Sequence, residues 1–432
     1  MNKRQIALWA SYDFAITILE LNVAIYLSEW LVIDQGVSEL LYSSVLALSI
    51  ILALLILPVL GLISDRYQKR LPYLYFFSYT AAIAVVLLGY FGLAIDHKPT
   101  LIALSLFLFI IMNISYQGCL LFYNALLSRI SDQKSLGLIS GLGVSAGYLG
   151  AIIGGLVVAA FVNGYIPIFR IDIPILGQSP RVYAFIPTAI LFIAAAVPSL
   201  LFLSEERTKE KLKDKLNRLK TQIKETPSYY QAVISDIKSF KKYPDALRFL
   251  LSFFFFNNAV GTIIIFGPLY MERVFHIDDF KKLLIIFTSL VMAAIGGTFA
   301  GWYADKAGRK KTLQRILIIW MILFGAMAWS NTIWLFWIIN AIGGFFFGAI
   351  WSVSRAFFVT LIPENEQGKF FSFYSIFERF AVIIGPLLWS GIVTVFSGWG
   401  STRYQLALAS MAILVAIGLH FLQKPKPRRQ SE

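Results

Sequence analysis

Long apolar runs constrain this chain more than any other feature. Stretches of roughly 18–25 apolar residues follow one another from end to end, each long enough to cross a bilayer core as a helix. In lipid every backbone N–H and C=O must find its partner inside the chain, so helices or a closed barrel are the admissible solutions. A barrel needs shorter segments of alternating polarity, and that pattern is not seen here. The 432 residues are 58% apolar and 14% charged, which is too little polar surface for a water-soluble protein of this size.

Twelve spans can be read, at 6–32, 38–63, 72–95, 100–128, 137–162, 183–204, 246–274, 282–303, 312–330, 332–360, 370–396 and 402–422. The expected fold is therefore an all-α membrane protein with twelve transmembrane helices in two six-helix halves. Residues 1–204 form the N-terminal half, 205–245 a charged cytoplasmic linker, and 246–432 the C-terminal half with a basic tail. In the linker Leu212, Leu216, Leu219 and Ile223 recur at helical spacing, a narrow apolar stripe suited to a helix lying on the inner membrane face. The segment 163–182 is too short and too rich in proline to span, and reads as an external loop or interfacial hairpin.

The net charge of +14 is not spread evenly. Basic clusters at Lys3–Arg4, Arg66–Arg70, Arg129–Lys134, Arg207–Lys242, Lys306–Lys311 and Lys424–Arg429 fall on alternate loops. The positive-inside rule puts those loops and both termini in the cytoplasm, which agrees with an even number of spans. Topology and anionic lipid account for the charge, so no nucleic-acid partner is called for. The expectation is a multi-pass protein of a bacterial inner membrane, monomeric, with lipid around it. Cys119 is the sole cysteine, which rules out a disulfide within the chain and a thiolate metal site. The first apolar run starts near Ile6 without a small-residue cleavage site and reads as a retained helix.

One segment occurs twice. Gly61-Leu-Ile-Ser-Asp65-Arg66-Tyr-Gln68-Lys69-Arg70 returns about 240 residues later as Gly301-Trp-Tyr-Ala-Asp305-Lys306-Ala-Gly308-Arg309-Lys310. Each copy closes one span and opens the next. Asp13-x-x-x-Thr17-Ile18 in the first span likewise matches Asn258-x-x-x-Thr262-Ile263 in the seventh. Tandem halves of this kind are the mark of a transporter built from repeats. Gly61 and Gly301 allow a neighbouring helix close. Asp65 and Asp305 suit a helix N-terminus or an arginine of the other half. With Arg66, Lys306, Gly308 and Arg309 they form a conformational latch in this reading.

The repeated loop resembles the signature between helices 2 and 3, and 8 and 9, of the major facilitator superfamily. The second copy fits fully, and the first departs at Gln68. Smaller motifs resemble the vacuole effluxer-like group: Trp9-Ala-Ser-Tyr12-Asp13, Tyr123-Asn124, Ser140-Gly141-Leu-Gly143 with Gly147-Tyr148-Leu-Gly150, Ser354-Arg355 with Leu361-Ile-Pro363, and Phe370-Phe371 through Tyr374 with Gly385-Pro386. The resemblance implies the major facilitator fold, alternating access, a cavity lined by helices 1, 4, 7 and 10, and small amino acids as the substrate. Asn257-Asn258 stands where Asn-Asp is expected in that group.

Ionisable groups inside a span are costly, so each is a functional candidate. Asp13 and Glu20 lie two turns apart on one face with Thr17 between them, and either could couple transport to protons; a structural carboxylate bonded across helices is the alternative. Asn113, Gln117 and Asn124 share a stripe of the fourth span beside Tyr116 and Tyr123. With Tyr12, Asn257, Asn258, Asn340 and Trp351 they are candidates for holding a zwitterionic solute, because amides both donate and accept. Interhelical hydrogen bonds are the competing role. Arg355 and Glu378 are expected to pair, with Arg379 nearby, as a structural pair or a gate. The ladder Gly141, Gly143, Gly147, Gly150, Gly154, Gly155 suits a close, sliding helix contact.

No Gly-x-x-x-x-Gly-Lys-Ser/Thr loop, nucleophile triad or metal-ligand cluster occurs in the sequence. An enzyme and a cofactor-dependent protein are therefore not expected, and transport would draw on a gradient of protons or another ion. Export of amphipathic or apolar compounds and lipid translocation stay open as alternatives.

Overall fold

A computed structural model describes residues 3–67, 69–130, 136–166, 171–172, 181–203, 243–362, 374, 377–378 and 381–423. The linker stripe at 212–223, the basic tail, Gln68 and Arg379 lie outside the described residues, as do the side chains of Asp65 and Arg66. The first half contains α1 (Lys3–Glu29), which runs into a π-helical turn at Trp30–Asp34, then α2 (Glu39–Tyr67), α3 (Leu71–Ala94), α4 (Lys98–Ile130), α5 (Leu136–Asn163) and α6 (Phe185–Phe202). The second contains α7 (Pro244–Phe275), α8 (Asp279–Ala307), α9 (Arg309–Ala328), α10 (Ile333–Val359), α11 (Ile384–Val395) and α12 (Thr402–Gln423). Between α5 and α6, β1 (Tyr165–Ile166) pairs antiparallel with β2 (Ile171–Asp172), so part of segment 163–182 is a short hairpin.

Eleven of these helices are long and apolar enough to cross a membrane. Of the expected span 370–396, residues 370–373, 375–376 and 379–380 lie outside the described residues; 374 and 377–378 are helical, 381–383 form a turn, and helix resumes at Ile384–Val395. Gly385-Pro386 falls in the first turn of α11. A proline there gives up an N–H that has no helical partner anyway, so it favours a helix start at this point.

Sequence chemistry sets the other ends. Pro72 and Pro244 sit in the first turns of α3 and α7. The Asp278 side chain caps α8 by accepting from the Lys281 N–H at 2.9 Å, and Thr332 caps α10. Burial pushes the Asp278 carboxyl up. Hydrogen bonds from the Lys281 backbone and side chain, with its positive charge, outweigh this and hold it below the usual carboxylate range. Gly308 has φ +91° and is the single residue between α8 and α9. Only glycine adopts that angle without strain, which gives the signature glycine a local reason.

The chain forms two compact units. One comprises residues 1–30 and 48–238, the other 31–47 and 239–432. The first turns of α2 group with the second unit. There Ser43 Oγ lies 2.6 Å from Ser390 Oγ, and Tyr404 Oη donates to Glu39 Oε1 at 2.9 Å. Within each unit the same packing recurs: α1 against α5 and α6 is matched by α7 against α11 and α12, and α3 against α4 and α6 by α9 against α10 and α12. The repetition read from two loops therefore extends through the helix contacts.

Candidate functional site

The densest polar and aromatic grouping in the first unit lies where α1 meets α5. Gly143, Gly147, Gly150 and Gly154 present bare backbone to α1. A Cβ at 143 would sit 2.6 Å from the Trp9 ring and 2.8 Å from the Tyr123 hydroxyl. One at 147 would sit 2.8 Å from Thr17 Oγ1 and 3.6 Å from Asp13 Cγ; at 150 it would overlap the Phe14 carbonyl, and at 154 it would press on Ile18. The glycine ladder is thus the seam on which α1 docks inside its own half.

Asp13 lies over Gly147, and the Tyr123 hydroxyl lies over Gly143, one turn away. The carboxylate and the hydroxyl are in electrostatic reach of each other. Tyr123 also stacks on Trp9 (centroids 4.4 Å apart) and on Tyr12 (5.4 Å), and its carbonyl accepts from Trp9 Nε1 at 3.1 Å. Tyr12 is fully buried and its hydroxyl lies 2.6 Å from Ser78 Oγ, so the Trp-x-x-Tyr-Asp motif is an aromatic brace around a carboxylate. Asp13 is half-buried while Glu20, on the same face, is exposed. The two candidate proton carriers thus occupy different environments.

The second unit repeats this geometry with a change of charge. Thr17 Oγ1 donates to the Asp13 carbonyl at 2.6 Å, and Thr262 Oγ1 donates to the Asn258 carbonyl at 2.6 Å. Gly147 of α5 faces the first pair and Gly385 of α11 faces the second. Asn258 is buried, and its Oδ1 accepts from the Gly385 N–H at 2.9 Å while Nδ2 donates to the Phe254 carbonyl at 2.8 Å. Its amide thus ties α7 to the start of α11.

Other amides are engaged in the same way. Asn340 Nδ2 donates to Ser289 Oγ at 2.6 Å between α10 and α8, and Asn113 Nδ2 donates to Ser49 Oγ at 2.6 Å between α4 and α2. Asn257 Nδ2 reaches the Glu378 carbonyl at 3.4 Å. Tyr116 and Gln117 are half-buried on α4, and Asn124 is exposed. Trp351 is half-buried and edge-on to Phe253, with ring centroids 6.0 Å apart. Arg355 and Glu378 come together with Nη2 4.0 Å from Oε1, the outer limit of an ion pair.

The signature loops do the same work in both units. A Cβ on Gly61 would meet Leu121 of α4 at 3.6 Å, and one on Gly301 would meet Ser352 of α10 at 3.2 Å. Four residues further along each helix, Arg70 Nη1 donates to the Ala125 carbonyl at 2.5 Å and Arg309 Nη1 to the Ala356 carbonyl at 3.2 Å. A Cβ would fit as ordinary contact at Gly61 and be tight only at Gly301, and in both units an arginine satisfies a carbonyl near the helix end. Asp305, expected at a helix N-terminus or an arginine of the other half, pairs instead with Arg309 of its own loop at 3.0 Å. Lys306 lies 4.1 Å from the Trp302 ring centroid, a cation–π contact.

Sequence reasoning missed two buried ionic groups. In the first unit Glu29, with a side chain 0% exposed, pairs with Arg181 at 3.1 Å. In the second, Lys282 is also 0% exposed and lies 2.7 Å from Glu272 and 2.5 Å from Asp279. The Asp279/Lys282 spacing of three was the available signal.

The chain matches the family described as vacuole effluxer Atg22 like over residues 37–431. It is similar to YxiO, an uncharacterized MFS-type transporter of Bacillus subtilis, with 26% identity over 90% of this chain and 86% of that protein. It is similar to a Na(+), Li(+), K(+)/H(+) antiporter of Planococcus maritimus, with 29% identity over 39% of each chain. Its fold is that of the nucleoside transporter NupG, with TM-score 0.71 and 14% identity over 99% of this chain and 100% of that one. Two repeated helical units, joined signature loops and a family match over almost the whole sequence converge: the chain belongs to the Atg22-like vacuole effluxer family of MFS-type transporters.

Proposed function

We propose that the protein is a secondary transporter that moves a small polar or zwitterionic, amino-acid-like solute by alternating access, with Asp13 carrying a coupling proton. The observation that carries this reading is the asymmetry between the repeats. Where the second unit has Asn258, neutral and fully engaged, the first has a carboxylate beside the Tyr123 hydroxyl on a helix seam without side chains. A carboxyl group in such a place binds and releases protons with its surroundings, and a tyrosine hydroxyl can follow either state by donating or accepting. Family membership supports a vacuolar-effluxer type of cargo, and the basic loops support cytoplasmic termini in an inner membrane. Glu20 is the second candidate for the proton.

A second reading is monovalent cation–proton antiport. Asp13 and Thr17 offer oxygen atoms beside Gly147, with the Tyr123 hydroxyl one turn away at Gly143, and one relative is named as such an antiporter.

Proteoliposomes with an internal pH dye separate these readings. Neutral amino acids, nucleosides, sodium chloride and potassium chloride are added in turn. A response to amino acids supports the first reading, and a response to sodium or potassium alone favours the second. No response to any amino acid, with no stabilisation of the purified protein by one, contradicts the first.

A further inference from the structure

Helix α7 meets Tyr374, Glu378, residues 381–382 and Gly385 in turn. Phe253 packs on Tyr374 with centroids 4.3 Å apart, and Asn257 reaches the Glu378 carbonyl. Gly261 faces Ala381 and Val382, and Asn258 and Thr262 face Gly385. Residues 377–378 are helical, 381–383 are not, and α11 starts at Ile384. The Ala381 N–H still donates to the Phe377 carbonyl at 3.1 Å, whereas the Glu378 carbonyl and the Gly385 N–H are met from α7. Two consecutive asparagines do this with opposite chemistry. Asn257 gives a donor to a carbonyl on one side, and Asn258 gives an acceptor to an N–H on the other. A Cβ at Gly385 would overlap Thr262 Oγ1, so α11 is held close to α7 as well.

We propose that Asn257 and Asn258 are positioning residues that bracket the non-helical stretch 381–383 and thereby fix the depth of Glu378 and its pairing with Arg355. Arg355 stands 4.0 Å from Glu378 and also faces the Tyr374 hydroxyl, so a shift of the chain at 378 changes the charge pair directly.

The opposite chemistry of the two amides gives a sharp test. Asn258→Asp keeps an oxygen for the Gly385 N–H in either protonation state, and the Phe254 carbonyl keeps its own helical bond. Asn257→Leu removes the donor that the Glu378 carbonyl receives and keeps the volume, whereas an aspartate at this buried position is protonated and still donates. Hydrogen–deuterium exchange of the full-length protein in nanodiscs reads both sites. Asn258→Asp is expected to leave amide exchange at 384–388 within about threefold of the parent, whereas Asn258→Ala raises it at least tenfold. Asn257→Leu is expected to raise maleimide labelling of Glu378→Cys, in a Cys119→Ser background, at least fivefold, and Asn258→Asp to leave it unchanged. Equal labelling in Asn257→Leu and Asn258→Asp overturns the proposal, as does unchanged exchange in Asn258→Ala. If the alanine variant does not fold, the labelling pair decides alone.

Discussion

Replacing Gly150 by alanine should separate α1 from α5, and the geometry sets the size of the effect. The new Cβ would lie 2.8 Å from the Phe14 carbonyl carbon and 2.9 Å from its Cα, with the carbonyl oxygen nearer still. Ordinary contact begins at 3.4 Å, so the α1 backbone has to retreat by more than half an ångström. A side chain could rotate away, but a backbone segment cannot. Overpacking of this kind costs up to about 3 kcal/mol. Alanine recovers about 1 kcal/mol of helix propensity over glycine, which leaves a net loss of about 2 kcal/mol. Gly325→Ala is the internal control, because nothing lies within 4 Å of its Cβ position and only the propensity gain applies. Gly150→Ala should raise unfolding of the first unit roughly thirtyfold over the parent, and Gly325→Ala, in the second unit, should leave it at the parental level. Cys119 is the sole cysteine and is buried, so a thiol-reactive dye in detergent reports unfolding of the unit that contains the seam. If Gly150→Ala unfolds no more readily than Gly325→Ala, the glycine seam is not the close contact described.

Gly308→Ala forces an L side chain to φ +91° and should lower stability by at least about 1 kcal/mol, although open space surrounds the site; an unchanged melt would show that the strain argument fails there. Asp278→Ala removes the α8 cap and should cost about 1 kcal/mol at neutral pH. Because the folded-state carboxyl is held below its usual range, this contribution is present above the unfolded pKa and is lost as pH falls through the folded one. Melts of parent and variant should therefore converge in acid, and a gap that persists at low pH would contradict the assignment. Lys282→Met leaves Glu272 and Asp279 facing each other without their cation, and should cost about 3 kcal/mol, with partial recovery on adding Glu272→Gln. A melt unaffected by the single change would remove Lys282 from the list of buried ion pairs.

The helices were legible from sequence because lipid leaves the chain one local solution, and apolar length reports it. The repeat was legible because Gly61 and Gly301 do the same local work on α4 and α10. What escaped depended on partners distant in sequence. Glu29 and Lys282 sit at span ends, where charge ordinarily means topology, and their burial comes from Arg181, Glu272 and Asp279. Asn258 and Asn340 read as solute contacts because an amide in a span must find a partner. The sequence could not say that the partners are Gly385 and Ser289. The break before α11 escaped for a related reason: hydropathy follows side chains, whereas the non-helical stretch is a matter of backbone groups met by α7.

The assignment of the coupling proton to Asp13 is checked by solute-driven proton movement into proteoliposomes, comparing Asp13→Asn with the parent and with Asp96→Asn, a substitution of an exposed carboxylate. Asp13→Asn is expected to lose proton movement at least tenfold while keeping solute-induced stabilisation, and Asp96→Asn to keep parental rates. Undiminished proton movement by Asp13→Asn would contradict it and transfer the role to Glu20 or to another group.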